Sequence, residues 1–117
     1  MTTPVGPYTP VVRAGDWLVV SGQIGLRDGK LIGGDVTEQL QQAIDNLRVL
    51  LAQHGASLTD VVKTTVFLRH MSDYPRMNET YMTAFGDHRP ARSAIGVAEL
   101  PLNALVEIEA WAFTAGR

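Results

Sequence analysis

Two segments in the last quarter of the chain show a period of two: residues 90–97, PARSAIGV, and residues 105–113, LVEIEAWAF. This period is typical of β-strands. The connection between them carries a proline and an asparagine, which favour a turn. An antiparallel pairing across this turn would bring Arg92 beside Glu107. The end of the chain is therefore expected to place a guanidinium next to a carboxylate.

The charged side chains of these two strands indicate a small anionic ligand. Arg92 shares its face of the strand with Ala94 and Gly96, whose small side chains leave room for a ligand beside the guanidinium. Its planar fork suits a carboxylate, because it donates two parallel hydrogen bonds and stays charged. Glu107 and Glu109 share a face at roughly 6.5–7 Å, and a glutamate near the arginine could position a water and pass protons. The alternatives are a surface salt bridge for the arginine and solvated edge charges for the glutamates.

Composition restricts the class of protein. The chain has 117 residues, 45% of them hydrophobic, and a net charge of −2. These values predict one domain over residues 1–117 with an ordinary packed core. The sequence lacks the basic patch that nucleic-acid binding requires, so we expect no nucleic-acid partner.

The sequence gives no indication of a metal site, of cysteine chemistry or of a membrane span. There is no cysteine, which excludes a disulfide framework, a thiol nucleophile and a thiolate metal site. His54, His70 and His88 lack ligand spacing, so no metal is expected. No apolar segment reaches the length of about 20 residues that a membrane span needs, and residues 1–7 lack the features of a signal peptide. We therefore expect a cytoplasmic protein without a membrane partner.

The order of predicted elements is β-β-α-β-α-β-β. Asp35 with Glu38 predicts the start of a long helix that ends at Gly55, and Ser72 or Asp73 predicts the start of a second helix that ends at Gly86. The remaining predicted elements are strands at residues 11–13, 17–22 and 61–68, with a loop over residues 25–34. The pattern predicts an α+β fold, with one mixed, mostly antiparallel sheet and two helices on one face.

The two helices can cover only one face of such a sheet. The other face is expected to carry an apolar group beside three charged residues: Trp17, Val19, Phe67, Trp111, Phe113, Arg92, Glu107 and Glu109. An uncovered face of this kind is typical of an association surface. We therefore expect a closed homo-oligomer with polar residues in the clefts between subunits.

Six segments together resemble the RidA family of reactive-intermediate deaminases, also called the YjgF/YER family. They are residues 6–8 (GPY), 20–24 (VSGQI), 60–68 (DVVKTTVFL), 77–81 (MNETY), 90–93 (PARS) and 106–110 (VEIEA). The resemblance runs over essentially the whole chain, from Val5 to about Phe113. It implies a chorismate-mutase-like α+β fold that forms a homotrimer with its sheets inward and its active sites between subunits.

The resemblance also implies an activity. Members of the family hydrolyse 2-imino acids and their enamine tautomers to 2-keto acids and ammonia, without a cofactor. These reactive intermediates leak from pyridoxal-phosphate enzymes, so the implied role is control of metabolite damage. The implied partner is a small 2-imino or 2-keto acid.

The roles carry over by position. Arg92 matches the arginine that grips the substrate carboxylate, and Glu107 matches the glutamate that holds the hydrolytic water. The implied substrate-binding residues are Tyr8, Ser21, Gly22 and Asn78. Ser93 and Ala94 are further candidates, because backbone groups around Ser21–Gly22 and Ser93–Ala94 could hold the imine nitrogen. Ala94 stands where many deaminating members have cysteine, which leaves a water-based hydrolysis intact.

Two other functions remain open at this point. The same cleft could sense or sequester a small carboxylate, such as a 2-keto acid, without catalysis. Nuclease activity or inhibition of translation, which has been attached to family relatives, fits poorly with the acidic balance of the chain.

Overall fold

A computed structural model describes residues 4–116 of the chain. Within these residues the strands and α-helices are β1 (Val11–Ala14), β2 (Trp17–Gln23), β3 (Leu26–Arg27), β4 (Lys30–Leu31), α1 (Val36–Ala52), β5 (Val61–Leu68), α2 (Tyr74–Phe85), β6 (Ala91–Gly96) and β7 (Val106–Phe113). Short 3₁₀ turns cover Leu58–Asp60, Met71–Asp73 and Pro101–Asn103. The predicted order is confirmed, with one addition: β3 and β4 form a small hairpin inside the expected loop.

Five strands form the main sheet, in the order β1-β2-β7-β5-β6. Only β5 and β6 run parallel, and the other neighbours are antiparallel. A parallel pair needs a long crossover, which α2 provides. The mixed, mostly antiparallel sheet predicted from the element order is therefore confirmed.

The predicted pairing of the last two strands is wrong. β5 lies between β6 and β7, so that Phe67 sits opposite Glu107 on one side and level with Ile95 on the other. Periodicity defines which faces a strand presents but not which strand it pairs with, because pairing is a contact between distant parts of the chain. Arg92 is consequently not beside Glu107 within one chain.

Local signals set the first helix as predicted. The Asp35 carboxylate accepts a hydrogen bond from the Thr37 N–H at 2.9 Å, and the Glu38 carboxylate accepts one from the Asp35 N–H at 2.8 Å. The second of these bonds, together with the bond from the Glu38 N–H to the Asp35 side chain, forms a capping box, which satisfies donors that the helix leaves free. Gly55, just beyond the end of α1, has a φ of 72°, a conformation that glycine adopts without strain.

The two faces of the sheet differ as expected. Val106, Ile108 and Ala110 point to the helices and are fully buried. On the opposite face, Trp111 is 43% exposed and Phe113 39% exposed, and both rings meet the Trp17 ring edge to face. A large apolar area therefore remains uncovered in the single chain.

Arg92 is an exception to the predicted face. It lies level with Thr64 in the parallel pair, and Thr64 is fully buried on the helix side. Arg92 therefore projects toward α2, away from the open face that carries Glu107 and Glu109. The prediction that all three charges share the open face is wrong for the arginine.

Candidate active site

A β-bulge in β2 forms the first half of the site. The pairing of β2 with β7 runs from Val20 opposite Ala110 to Gln23 opposite Ile108, so two residues of β2, Ser21 and Gly22, oppose one of β7. Such a bulge bends the strand and redirects its backbone. At Gly22 the backbone comes so close that a Cβ would fall inside the Glu107 carboxyl group. Glycine is therefore required wherever Glu107 keeps this position.

The segment before β1 folds over this bulge. The Ser21 hydroxyl donates to the Thr9 carbonyl at 2.8 Å, and the Ser21 N–H donates to the Pro10 carbonyl at 2.8 Å. These bonds hold Tyr8 at the edge of an open cavity of about 380 Å³. We call it the carboxylate cleft; it is lined by residues that include Tyr8, Pro10, Ser21, Gly22, Glu107 and Glu109.

Glu107 is the chemically distinctive group of the carboxylate cleft. It is half-buried, and within residues 4–116 no side chain forms an ion pair with it. Burial raises the pKa of its carboxyl above the ordinary value of 4.5, and the neighbouring charge of Glu109 raises it further. A carboxylate with a raised pKa and unoccupied lone pairs is suited to accept a proton from water.

A second cleft lies between α2 and the start of β6. It has a volume of about 350 Å³, and we call it the arginine cleft; its lining residues are Asn78, Tyr81, Met82, Arg89, Pro90 and Arg92. Asn78 contributes a buried amide oxygen that has no hydrogen-bond partner among the described residues. Buried acceptors are almost always satisfied, so this oxygen is available to a donor on a ligand or a water.

Aromatic side chains of α2 hold the Arg92 guanidinium. Its Nη2 donates to the Tyr74 hydroxyl at 3.0 Å, and its Nη1 lies 3.6 Å from the Met77 sulfur. The guanidinium carbon is 4.9 Å from the centre of the Tyr81 ring, within the range of a cation–π interaction. The Tyr81 hydroxyl is in turn bonded to Thr64 at 2.6 Å. Arg92 is thus oriented before any ligand arrives.

Ser93 and Ala94 lie outside both cleft linings. The Ser93 hydroxyl is on the open face, where it accepts a hydrogen bond from Lys63 Nζ at 2.8 Å. Ala94 packs against the main core. The single chain does not bring these two predicted residues to the others.

The predicted site residues therefore fall into two groups. Tyr8, Ser21, Gly22 and Glu107 meet in the carboxylate cleft, whereas Asn78 and Arg92 meet in the arginine cleft.

Sequence reasoning missed the supports of Arg92. Tyr74, Met77 and Tyr81 have the i, i+3, i+7 spacing of one helix face. Met77 and Tyr81 are also buried members of the main hydrophobic core. The same spacing could have indicated a surface that receives a side chain from the adjacent strand.

Two other features of the described residues bear on function. No group of three or more histidine, aspartate or glutamate side chains within residues 4–116 is arranged to hold a metal ion. None of the helices in this part of the chain combines the length and apolar character of a membrane span.

Comparison with known proteins places these features in a family. The family model described as Endoribonuclease L-PSP matches residues 1–114. The chain belongs to the YjgF/RidA family. Its relatives include a mouse protein named 2-iminobutanoate/2-iminopropanoate deaminase, which is 44% identical over 108 residues that cover 91% of this chain and 80% of the mouse protein.

Solved structures of the YjgF/RidA family have the same fold. A putative endoribonuclease from Thermotoga maritima is 46% identical, with a TM-score of 0.91 over 96% of this chain and 90% of the other. The TdcF protein of E. coli, solved with bound serine, is 33% identical, with a TM-score of 0.90 over 96% and 91% of the two chains. Several relatives at about 42% identity are named deaminases, which supports a deaminase role at the level of the family. Other members of the family carry different names.

Proposed function

We propose that this protein hydrolyses 2-imino acids and their enamine tautomers to 2-keto acids and ammonia, in a cofactor-free reaction that we place in the cytoplasm. The observation that carries the proposal is the unpaired, half-buried Glu107 carboxylate in a cleft. It would supply the base, and the preoriented Arg92 would supply the anchor for the substrate carboxylate. The deaminase names of relatives at about 42% identity support the same reaction.

The proposal includes a homotrimer in which the carboxylate cleft of one copy faces the arginine cleft of the next. Each cleft carries half of the required chemistry, and the two lie on opposite sides of the sheet. A contact between different surfaces of successive copies closes into a ring when the rotation permits. β6 is an edge strand that could approach the open apolar face of a neighbour. The number three comes from the resemblance to RidA.

The chemistry requires little beyond positioning. Arg92 donates two hydrogen bonds to the substrate carboxylate and fixes the C2 carbon. Glu107 accepts a proton from water as the water oxygen bonds to C2, and passes this proton to the departing nitrogen. This first transfer gives R–C(OH)(NH₂)–COO⁻. Glu107 then takes the proton of the new hydroxyl group and delivers it to the nitrogen as the carbon–nitrogen bond breaks, so that R–C(=NH)–COO⁻ and water become R–CO–COO⁻ and ammonia. Holding the reactants together lowers the barrier, because the entropy of bringing them together is lost on binding. Positioning can be the main contribution here, since the imine is already electrophilic.

A binding protein without catalysis is the second candidate. The arginine cleft alone offers a guanidinium and an orphaned amide oxygen, which suffice to hold a small carboxylate without a base. The two candidates differ in one measurement. Imines made in situ by an amino-acid oxidase are trapped with semicarbazide, and the protein either accelerates their loss or leaves it unchanged.

The shared site has its own test. Chains with Arg92→Ala and chains with Glu107→Gln are co-expressed, each variant being expected to lose at least about 10²-fold in rate when it is expressed alone. If every site combines two copies, random mixing restores both groups in about one quarter of the sites. Light scattering should give a mass near three chains. No recovery from the mixture, or a monomer at micromolar concentration, would refute the shared site.

A further inference from the structure

The arginine cleft contains a second cation that the proposed reaction does not use. Arg89 lines the cleft together with Arg92. Both guanidinium groups act on the same phenol: each lowers the pKa of Tyr81, although burial raises it more. The two arginines are therefore close enough to present their charges to one ligand.

The backbone presents Arg89 at a fixed place. His88, just before it, donates its N–H to the Phe85 carbonyl at 3.2 Å, and its ring Nε2 lies 2.6 Å from the Val61 carbonyl oxygen. Pro90, just after it, has a restricted φ. The side chain itself is exposed, and its one hydrogen bond within residues 4–116 goes to the His88 carbonyl at 3.3 Å. Most of its five donors remain available.

The two cations have no counter-charge in the described chain. The lining of the arginine cleft contains no aspartate or glutamate, and neither Arg89 nor Arg92 forms an ion pair within residues 4–116. Like charges in a shared cleft repel each other. A ligand with one carboxylate would neutralise only one of them, whereas a ligand with two would neutralise both.

We propose that the arginine cleft selects 2-imino acids whose side chain ends in a second carboxylate, the imines of four- and five-carbon dicarboxylic amino acids. Arg92 binds the carboxylate next to the imine, and Arg89 binds the carboxylate at the other end. The hydrolysis is unchanged, and its products are a 2-keto dicarboxylic acid and ammonia. This inference rests on the proposed function and adds the substrate class.

The test compares two imines made in situ, one from aspartate and one from alanine. Wild-type protein should show the higher kcat/KM with the aspartate-derived imine. Arg89→Gln should lower that value by about 10–100-fold, the loss expected when a charge-assisted hydrogen bond disappears. The loss with the alanine-derived imine should be much smaller. Arg48→Gln is the matched control, because Arg48 is an exposed arginine of α1 that pairs with Asp45.

A second measurement separates this inference from the proposed function. Calorimetry compares the binding of oxaloacetate and pyruvate to wild-type protein and to Arg89→Gln. If neither imine is hydrolysed but Arg89→Gln selectively weakens oxaloacetate binding, the proposed function fails and the role of Arg89 stands. If both imines are hydrolysed and the variant changes both substrates equally, the role of Arg89 is refuted.

One further result would also overturn the inference. If the two clefts meet, Glu109 of a second copy could neutralise Arg89 in place of the second carboxylate of a ligand. In that case Arg89→Gln and Glu109→Gln would each promote dissociation of the oligomer in light scattering. The preference between the two imines would then stay as in the wild type.

Discussion

The surroundings of the charged side chain differ between the two clefts: they disfavour the charged form of Glu107 and stabilise that of Arg92. In the carboxylate cleft, Glu107 forms no ion pair within residues 4–116, and burial followed by the charge of Glu109 raises its pKa and so disfavours its charged form. In the arginine cleft, the Arg92 guanidinium is held by the Tyr74 hydroxyl and the Tyr81 ring. A destabilised carboxylate is ready to take a proton, whereas a stabilised guanidinium is ready to bind. The difference fits the proposed division between proton transfer by Glu107 and substrate anchoring by Arg92.

Removing the anchor should have the largest effect. Arg92→Ala should reduce imine hydrolysis to the background rate, because it deletes the two-pronged contact with the substrate carboxylate. Arg92→Lys should be nearly as damaging, since an ammonium cannot reproduce the planar fork. The measurement is the loss of semicarbazide-trapped imine, with circular dichroism as the control for folding. Near-normal activity in a folded Arg92→Ala protein would move the anchor to another residue.

Removing the base should have the next largest effect. Glu107→Gln keeps the shape but cannot accept the proton, so the rate should fall by roughly 10²–10⁴-fold. Glu109→Gln is the matched control, because it lies on the same face two residues away and should cost much less. Equal, small losses in both variants would show that backbone groups position the water.

Disturbing the bulge should have a smaller effect. At residue 22 an added Cβ would displace the Glu107 carboxyl. A misplacement of about 1 Å can cost up to about 10²-fold, so Gly22→Ala should slow hydrolysis by roughly 10–10²-fold. Gly33→Ala is the control, because no atom lies within 4 Å of the Cβ it would add. Equal rates for the two variants would contradict the close approach of backbone and carboxylate.

The smallest expected effect concerns pH. Hydrolysis should fall at acid pH as Glu107 takes up a proton. Burial raises the pKa of the Glu107 carboxyl, and the charge of Glu109 raises it further. Glu109→Gln should therefore move the acid limb of kcat/KM to lower pH. A guanidinium from a second copy would also lower the pKa of Glu107. The pH at which kcat/KM falls therefore depends on how closely the two clefts approach each other.

A control variant calibrates this pH shift. Asp45→Asn removes a carboxylate from α1, where Asp45 pairs with Arg48, and should leave the acid limb in place. A limb that does not move in Glu109→Gln would show that another group titrates.

Much of the fold was predictable from local patterns. The capping box at Asp35 and Glu38 formed as predicted, since its bonds join residues within one helical turn. The alternation in residues 106–113 separated a buried from an open face, because successive side chains of a strand must point to opposite sides. The residue motifs also identified the family, which the family model confirms.

The site could be predicted only in part. Tyr8, Ser21, Gly22 and Glu107 were expected to share a pocket, and they line one cleft. Arg92 was expected beside Glu107, but the two are separated by β5. The contact of Arg92 with Tyr74 was not anticipated, because it joins a strand to a helix 18 residues earlier in the chain.

By itself, the sequence determined the two helices, the five strands of the main sheet and which residues of each strand share a face, together with the residue types that the chemistry needs. These properties depend on neighbours along the chain, which a period of two or 3.6 encodes directly. Only the tertiary structure decided that β5 separates β6 from β7, that Arg92 turns toward α2, and that Arg92 and Glu107 line different clefts. Strand order and side-chain contacts join distant segments, and they follow from how the whole sheet and its helices pack.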